Sequence, residues 1–197
     1  MNIRIAEITH HEAGHAVAAL MTADIADDQM TVSVTVINGV GTGYGPLVSD
    51  GDHPMQAAFI LYAGPWAEAR VRWGKPVHGL EDTSDEGTSF RQAVEAAFAD
   101  GATLSGRSDR ARYAVLAKAN PSVPAKEQEW SEELERAWPA IEQLAQALRN
   151  RLDNARPDTD SMAPVGHVRR TASMPNREVV ALVRPLLEER KMWHYLA

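Results

Sequence analysis

A chain of 197 residues is long enough for one substantial core, and its 44% hydrophobic and 24% charged residues argue against a disordered or membrane class. The formal net charge of −7 argues against nucleic acid as a partner, because phosphate binding needs a clustered basic surface. With no cysteine there is neither a disulfide framework nor a thiolate site, so any transition metal has to be held by His, Asp or Glu.

Residues Ile5 to Met21 read as an amphipathic helix with two inward stripes, Ile5, Ile8, Glu12, His15 and Ala19 on one and Ala13, Val17 and Leu20 on the other. The amino-terminal MNIRIAEITHHEAGH has no apolar run suited to a signal peptide. The longest apolar stretch, around Ala57–Ala63, is too short for a membrane span, so a cytoplasmic location without a membrane partner is expected. Met30 to Asn38 is rich in β-branched residues and reads as a strand, and the glycines of GVGTGYG suggest a turn into a return strand. A helix follows over Met55 to Trp73, stopped by Gly74 with Pro76 beyond.

The acidic stretch HGLEDTSDEGTS reads as a loop, and two helices are expected at Ser89–Ala99 and Asp109–Ala119, separated by the turn ADGATLSGRS. A long charged helix is expected from Ala125 to Leu152, disturbed at Pro139. Residues 154–175, with prolines at 157, 164 and 175 and few large apolar groups, read as a linker or flexible arm. A last helix is expected over Arg177 to Trp193. The domain plan is therefore a metal-binding domain over 1–153, a linker over 154–175 and a carboxy-terminal helix in 176–197. No GxxxxGK[ST] loop occurs, so a nucleotide-hydrolysing module is not indicated.

The chemistry concentrates in His11-Glu12-Ala13-Gly14-His15, an HExxH motif. Two histidines four apart on a helix lie about 40° apart around it and about 6 Å along it, so both imidazoles can reach one ion. Glu12 is placed beside the open position of that ion, where it can take a proton from an attacking water and return one to the leaving amine. Zinc suits imidazole and carboxylate ligands and has no redox chemistry. The pattern HExxHxxGxxH would need Gly at 18 and His at 21, where this chain has Ala18 and Met21. A glutamate from a following helix, the thermolysin-like arrangement, is disfavoured because residues 31–40 are strand-like and contain no acid.

HEAGHAVAAL resembles the metal helix of the FtsH-type peptidase domain, the proteolytic half of the membrane-anchored AAA+ proteases. MTVSVTVINGVGTGYG looks like that family's strand pair, and LYAGPWAEARVRWG is similar to its Leu-x-Gly-Gly-Arg-x-Ala-Glu-Glu segment, so the resemblance covers about residues 5 to 120. It implies a mainly α fold, a zincin-like helical peptidase domain with a small β-hairpin or sheet, and an aspartate as third zinc ligand near the start of a later helix. Asp85 matches by its distance from the motif; Asp109 matches by local context, because SGRSD precedes an Ala-rich helix. Asp109 is favoured and Asp85 is the runner-up, since a carboxylate in the first turn of a packed helix is held more rigidly than one in a glycine-containing loop.

The expected function is zinc-dependent endopeptidase action on unfolded or extended polypeptide, with His11, His15 and an aspartate as ligands and Glu12 as general base. The alternatives are a non-catalytic zinc-containing binding or regulatory module and a metal-dependent hydrolase of another amide. The family's ATPase and membrane segments have no counterpart in this sequence, which leaves a separate ATPase partner and a homo-oligomer open. His10 is expected to point away from His11; His53, His78, His167 and His194 are expected at the surface, and Glu68 in a structural pairing or capping role.

Overall fold

The structure, a computed structural model, describes residues 3–22, 30–37, 40–44, 53–101, 109–157 and 168–193. The fold is mainly helical with one small antiparallel sheet. In chain order the elements are α1 (Ile3–Thr22), β1 (Thr31–Ile37), β2 (Val40–Tyr44), α2 (Pro54–Trp73), α3 (Phe90–Gly101), α4 (Asp109–Ala119), the short α5 (Ser122–Ala125), α6 (Glu127–Asn154), β3 (Arg169–Pro175) and α7 (Asn176–Glu189). Among the described residues no helix is long and apolar enough to cross a membrane.

Helix α1 is the centre of the molecule. Every residue from Glu12 to Thr22 is buried, because α2, α6 and the sheet enclose it from several sides. The approach of α2 is set by small residues: a Cβ on Gly14 would stand 2.5 Å from the Ala63 carbonyl oxygen and 2.9 Å from the Ala67 Cβ. Only a glycine fits at such a contact. Helix α2 ends at Gly74, which takes the left-handed conformation (φ 73°) and donates its N–H to the Arg70 carbonyl, as the Gly-x-Pro stop signal predicts. Trp66, fully buried, donates its indole N–H to Ser131 Oγ at 2.9 Å and joins α2 to α6.

Helix α6 presents Trp130, Leu134, Ala137, Ile141, Leu144, Leu148 and Leu152 to the core at spacings of three or four. It continues through Pro139 rather than breaking there, because the apolar stripe is uninterrupted on both sides and tertiary packing outweighs one lost helical hydrogen bond. Helix α7 adds Val179, Val183 and Leu187 to the same core. It stops at Glu189 rather than reaching Trp193. Lys191 adopts φ 58° and Met192 folds back to donate its N–H to the Leu187 carbonyl at 2.7 Å, burying its own side chain.

The sheet order is β2-β1-β3, and it corrects the linker reading of 154–175 at its carboxy-terminal end. Seven of those residues form β3, which pairs with β1 along its whole length from Thr31↔Pro175 to Ile37↔Arg169. Val32, Val34 and Val36 of β1 and Ala172 and Met174 of β3 face the core, while Ser, Thr and Arg occupy the alternate positions. Only two residues of β3 are apolar and inward, too few for a strand signal in the sequence. The pairing with β1 and the hydrogen bond from Asn176 N–H to the Met30 carbonyl at 2.9 Å supply the rest. Residues 158–167, the turn residues 102–108, His167 and His194 lie outside the described residues.

Substituting aspartate at two neighbouring positions tests this assignment. Met174→Asp puts a charge on the buried face and should cost roughly 3 kcal/mol or more, whereas Ser173→Asp, on the exposed face, should stay within about 0.5 kcal/mol. Urea unfolding followed by circular dichroism separates the two, and equal small losses would restore the linker reading.

Candidate metal centre

His11, Glu12 and His15 all come from α1, and the helix presents their side chains where α2, α4 and β2 meet it. His11 Nε2 and His15 Nε2 lie 3.1 Å apart. Asp109, the first residue of α4, completes a triangle: its Oδ2 is 3.0 Å from His11 Nε2 and 3.2 Å from His15 Nε2. Among the described residues these three form a group with the donor types and spacing a metal ion requires. Asp85 is not in it; it is exposed in the tight turn Ser84–Gly87, which Gly87 closes at φ 79°.

The donor set fits zinc. A tetrahedral ion with bonds of about 2.0–2.1 Å separates its ligand atoms by roughly 3.3–3.4 Å, so the triangle needs to open by only a few tenths of an ångström. Both histidines are oriented from behind through their other nitrogen. His15 Nδ1 donates to the Ile60 carbonyl of α2 at 2.7 Å. His11 Nδ1 donates to Glu68 Oε2 at 3.0 Å. Each contact keeps Nδ1 as the donor and aims Nε2 at the shared point, so a metal bound there would meet the Nε2 lone pairs, the arrangement that raises the basicity of a metal-binding imidazole.

Two glycines make the room. A Cβ at Gly64 would overlap the His15 ring at Nε2, and one at Gly43 in β2 would overlap the Glu12 carboxylate. Strand β2 therefore lies directly against the motif glutamate. Glu12 is 6% exposed, and its Oε2 is buried without a hydrogen-bond partner among the described residues. A buried carboxylate oxygen left in that state is costly unless a further group arrives beside it.

The charges respond to this crowding. Burial pulls the His11 imidazole down, but hydrogen bonds to Asp109 and Glu68 and the nearby Glu12 charge outweigh it and push the group up to about 10. Burial raises Asp109, yet the charges of His15 and His11 and the hydrogen bonds they donate hold it well below the usual carboxylate range. Glu12 is raised: burial dominates, and the adjacent histidines offset only part of it. The two carboxylates thus respond in opposite directions, Asp109 to its cationic partners and Glu12 to its burial.

Glu68 is the residue whose part sequence reasoning missed. Its expected structural pairing is present, with Arg72 one turn on, but its second oxygen also orients His11, which the sequence reading did not include. Its position four residues after Gly64 carried no sign of this, because the contact depends on how α2 crosses α1. His10 lies on another side of α1, stacked on Trp138 at 5.3 Å, with its Nδ1 donating to the Ala6 carbonyl at 2.7 Å. His53 and His78 are exposed.

No family model matches the chain, and no curated protein or solved structure matches it.

The two glycines give a pair of tests with different outcomes. Gly64→Ala should weaken zinc binding about 10–100-fold, the usual effect of disturbing a ligand's support, with helical content unchanged by circular dichroism. Gly43→Ala should leave zinc affinity within a few-fold of wild type, because it displaces Glu12 rather than a ligand. Competition against a chromogenic chelator measures both, and equal effects would contradict the geometry.

Proposed function

We propose that this protein is a zinc-dependent endopeptidase of zincin-like arrangement acting on unfolded or extended polypeptide, with His11, His15 and Asp109 as metal ligands and Glu12 as general base. The observation that carries the reading is the triangle of two imidazole nitrogens and one carboxylate oxygen beside a buried, unpartnered glutamate. A zinc bound there would polarise a scissile carbonyl and lower the pKa of water to about 7.

Glu12 supplies the proton traffic. Its place beside the triangle suits it to accept a proton from the attacking water and to pass it to the leaving nitrogen, and its burial favours the protonated form it passes through. Gly43 keeps β2 close enough that a chain lying along this strand runs past the Glu12 carboxylate. Among the described residues β2 pairs only with β1, so its outer edge offers main-chain donors and acceptors to a substrate strand. Recognition of this kind reads backbone more than side chains. Broad action on disordered chains and little on folded domains follows.

The rival, a binding or regulatory module with a structural metal, is disfavoured by Glu12. A structural zinc site closes its fourth position with another protein ligand, whereas the donor group among the described residues has three members and a base beside it.

Glu12→Gln should retain one zinc per chain and lower the cleavage rate of a casein-like disordered protein by 10³-fold or more, on the order expected for loss of a general base. Asp109→Ala should lose zinc, and Asp85→Ala should behave as wild type. Metal content after dialysis and fluorogenic peptide cleavage, with a chelator control, read out all three. Stoichiometric zinc without cleavage of any peptide by wild type would favour the module reading, and zinc retained in Asp109→Ala would remove that residue from the ligand set.

A further inference from the structure

We propose that Arg72 and Glu7 are positioning residues for the metal centre, clamping Glu68 so that one of its oxygens is committed to His11. The inference rests on the metal reading above and extends it to two side chains that do not reach the ligand triangle. Glu7 and His11 stand one turn apart on α1, and Glu68 and Arg72 stand one turn apart on α2. Across the helix crossing the four groups alternate. Arg72 Nε donates to Glu7 Oε1 at 2.8 Å and its Nη2 donates to Glu7 Oε2 at 3.3 Å, a forked contact. The same Nη2 donates to Glu68 Oε1, and the remaining oxygen, Glu68 Oε2, accepts from His11 Nδ1.

The order of the contacts determines what each does. A glutamate touching only His11 could rotate its carboxylate and exchange oxygens, leaving the imidazole free to turn about its own χ2. With Oε1 tied to the guanidinium, Oε2 is the oxygen left for Nδ1, and the ring is fixed with Nε2 toward Asp109 and His15. Glu7 in turn fixes the guanidinium through both of its oxygens, and the planar fork restricts Arg72 in a way a flexible ammonium would not. Exposure grades along the chain of contacts: the side chains of Glu68 and Glu7 are 10% and 12% exposed, while that of Arg72 is 31% exposed. Arg72 reaches solvent while both carboxylates it holds are nearly buried, so the network contributes to stability as well as to orientation, and a readout at the metal separates the two. Arg72 balances one of the two carboxylate charges it joins across the helix crossing.

The experiment measures zinc affinity by chelator competition, the visible absorption of the cobalt(II)-loaded protein, and the thermal midpoint of the metal-free protein, for wild type, Glu68→Gln, Arg72→Ala, Arg72→Lys and Glu7→Gln. Arg72→Ala should weaken zinc about 10-fold and alter the cobalt ligand-field bands, with Glu7→Gln smaller in both and Arg72→Lys a partial rescue. Metal-free midpoints should stay close to wild type for Arg72→Lys and Glu7→Gln, which separates positioning from a merely structural contribution, whereas Arg72→Ala, which leaves two nearly buried carboxylates without their cation, should also lower the midpoint. If Arg72→Lys and Glu7→Gln bind zinc as tightly as wild type with unchanged cobalt spectra, the proposal is overturned, whatever Arg72→Ala does. If instead wild type binds neither metal, it is the metal reading itself that fails.

Discussion

The crossing of α1 and α2 at backbone distance is the constraint on which the rest of the structure depends. Gly14 rests on the Ala63 carbonyl, and Gly64 gives its own missing side chain's space to the His15 ring. A single methyl group at either position would push the helices apart. Because they are close, the Ile60 carbonyl and the Glu68 carboxylate of α2 can reach behind the two histidines of α1. The orientation of both rings is thus a consequence of helix packing, and packing this tight cannot be adjusted locally without cost elsewhere.

That crossing also explains how so many titratable groups are tolerated inside the core. His11, Glu12, His15, Glu68 and Asp109 would each be expensive to bury alone, since an unpaired charge removed from water costs several kcal/mol. Here most are satisfied by each other: Asp109 by both imidazoles, His11 by carboxylates on two sides, His15 by a main-chain carbonyl. Glu12 is the exception, with one oxygen left unpaired. Local polar conflict of this sort is characteristic of functional sites, where the surrounding fold supports an arrangement that stability alone would not select.

The carboxy-terminal part of the chain contributes at a distance. By pairing with β1 opposite β2, β3 makes β1 the central strand and, among the described residues, leaves β2 at the sheet's other margin, next to Glu12. Helix α7 then packs on α6, so the segment from Arg169 onward completes the core as well as the sheet. The strand and helix behind the sheet thus set which strand edge adjoins the candidate base.

What the sequence determined by itself is the part that rests on local periodicity and short-range spacing. The helix bearing HEAGH, the valine-rich strand, the Gly74 stop and the long amphipathic α6 follow from residues within a few turns of one another, and so does the juxtaposition of His11 with His15. Asp109 was legible only as the better of two aspartates, on the ground that it begins a helix; its approach to His11, 98 positions away, is a fact of packing. The second contact of Glu68, to His11, the strand β3 within the expected linker and the Arg72–Glu7 fork are not legible in the sequence. These were decided by the tertiary structure alone, because each depends on a partner on another element. A strand with two inward residues is stabilised by the neighbour it pairs with, and a carboxylate acquires its role from whatever the helix crossing brings to face it.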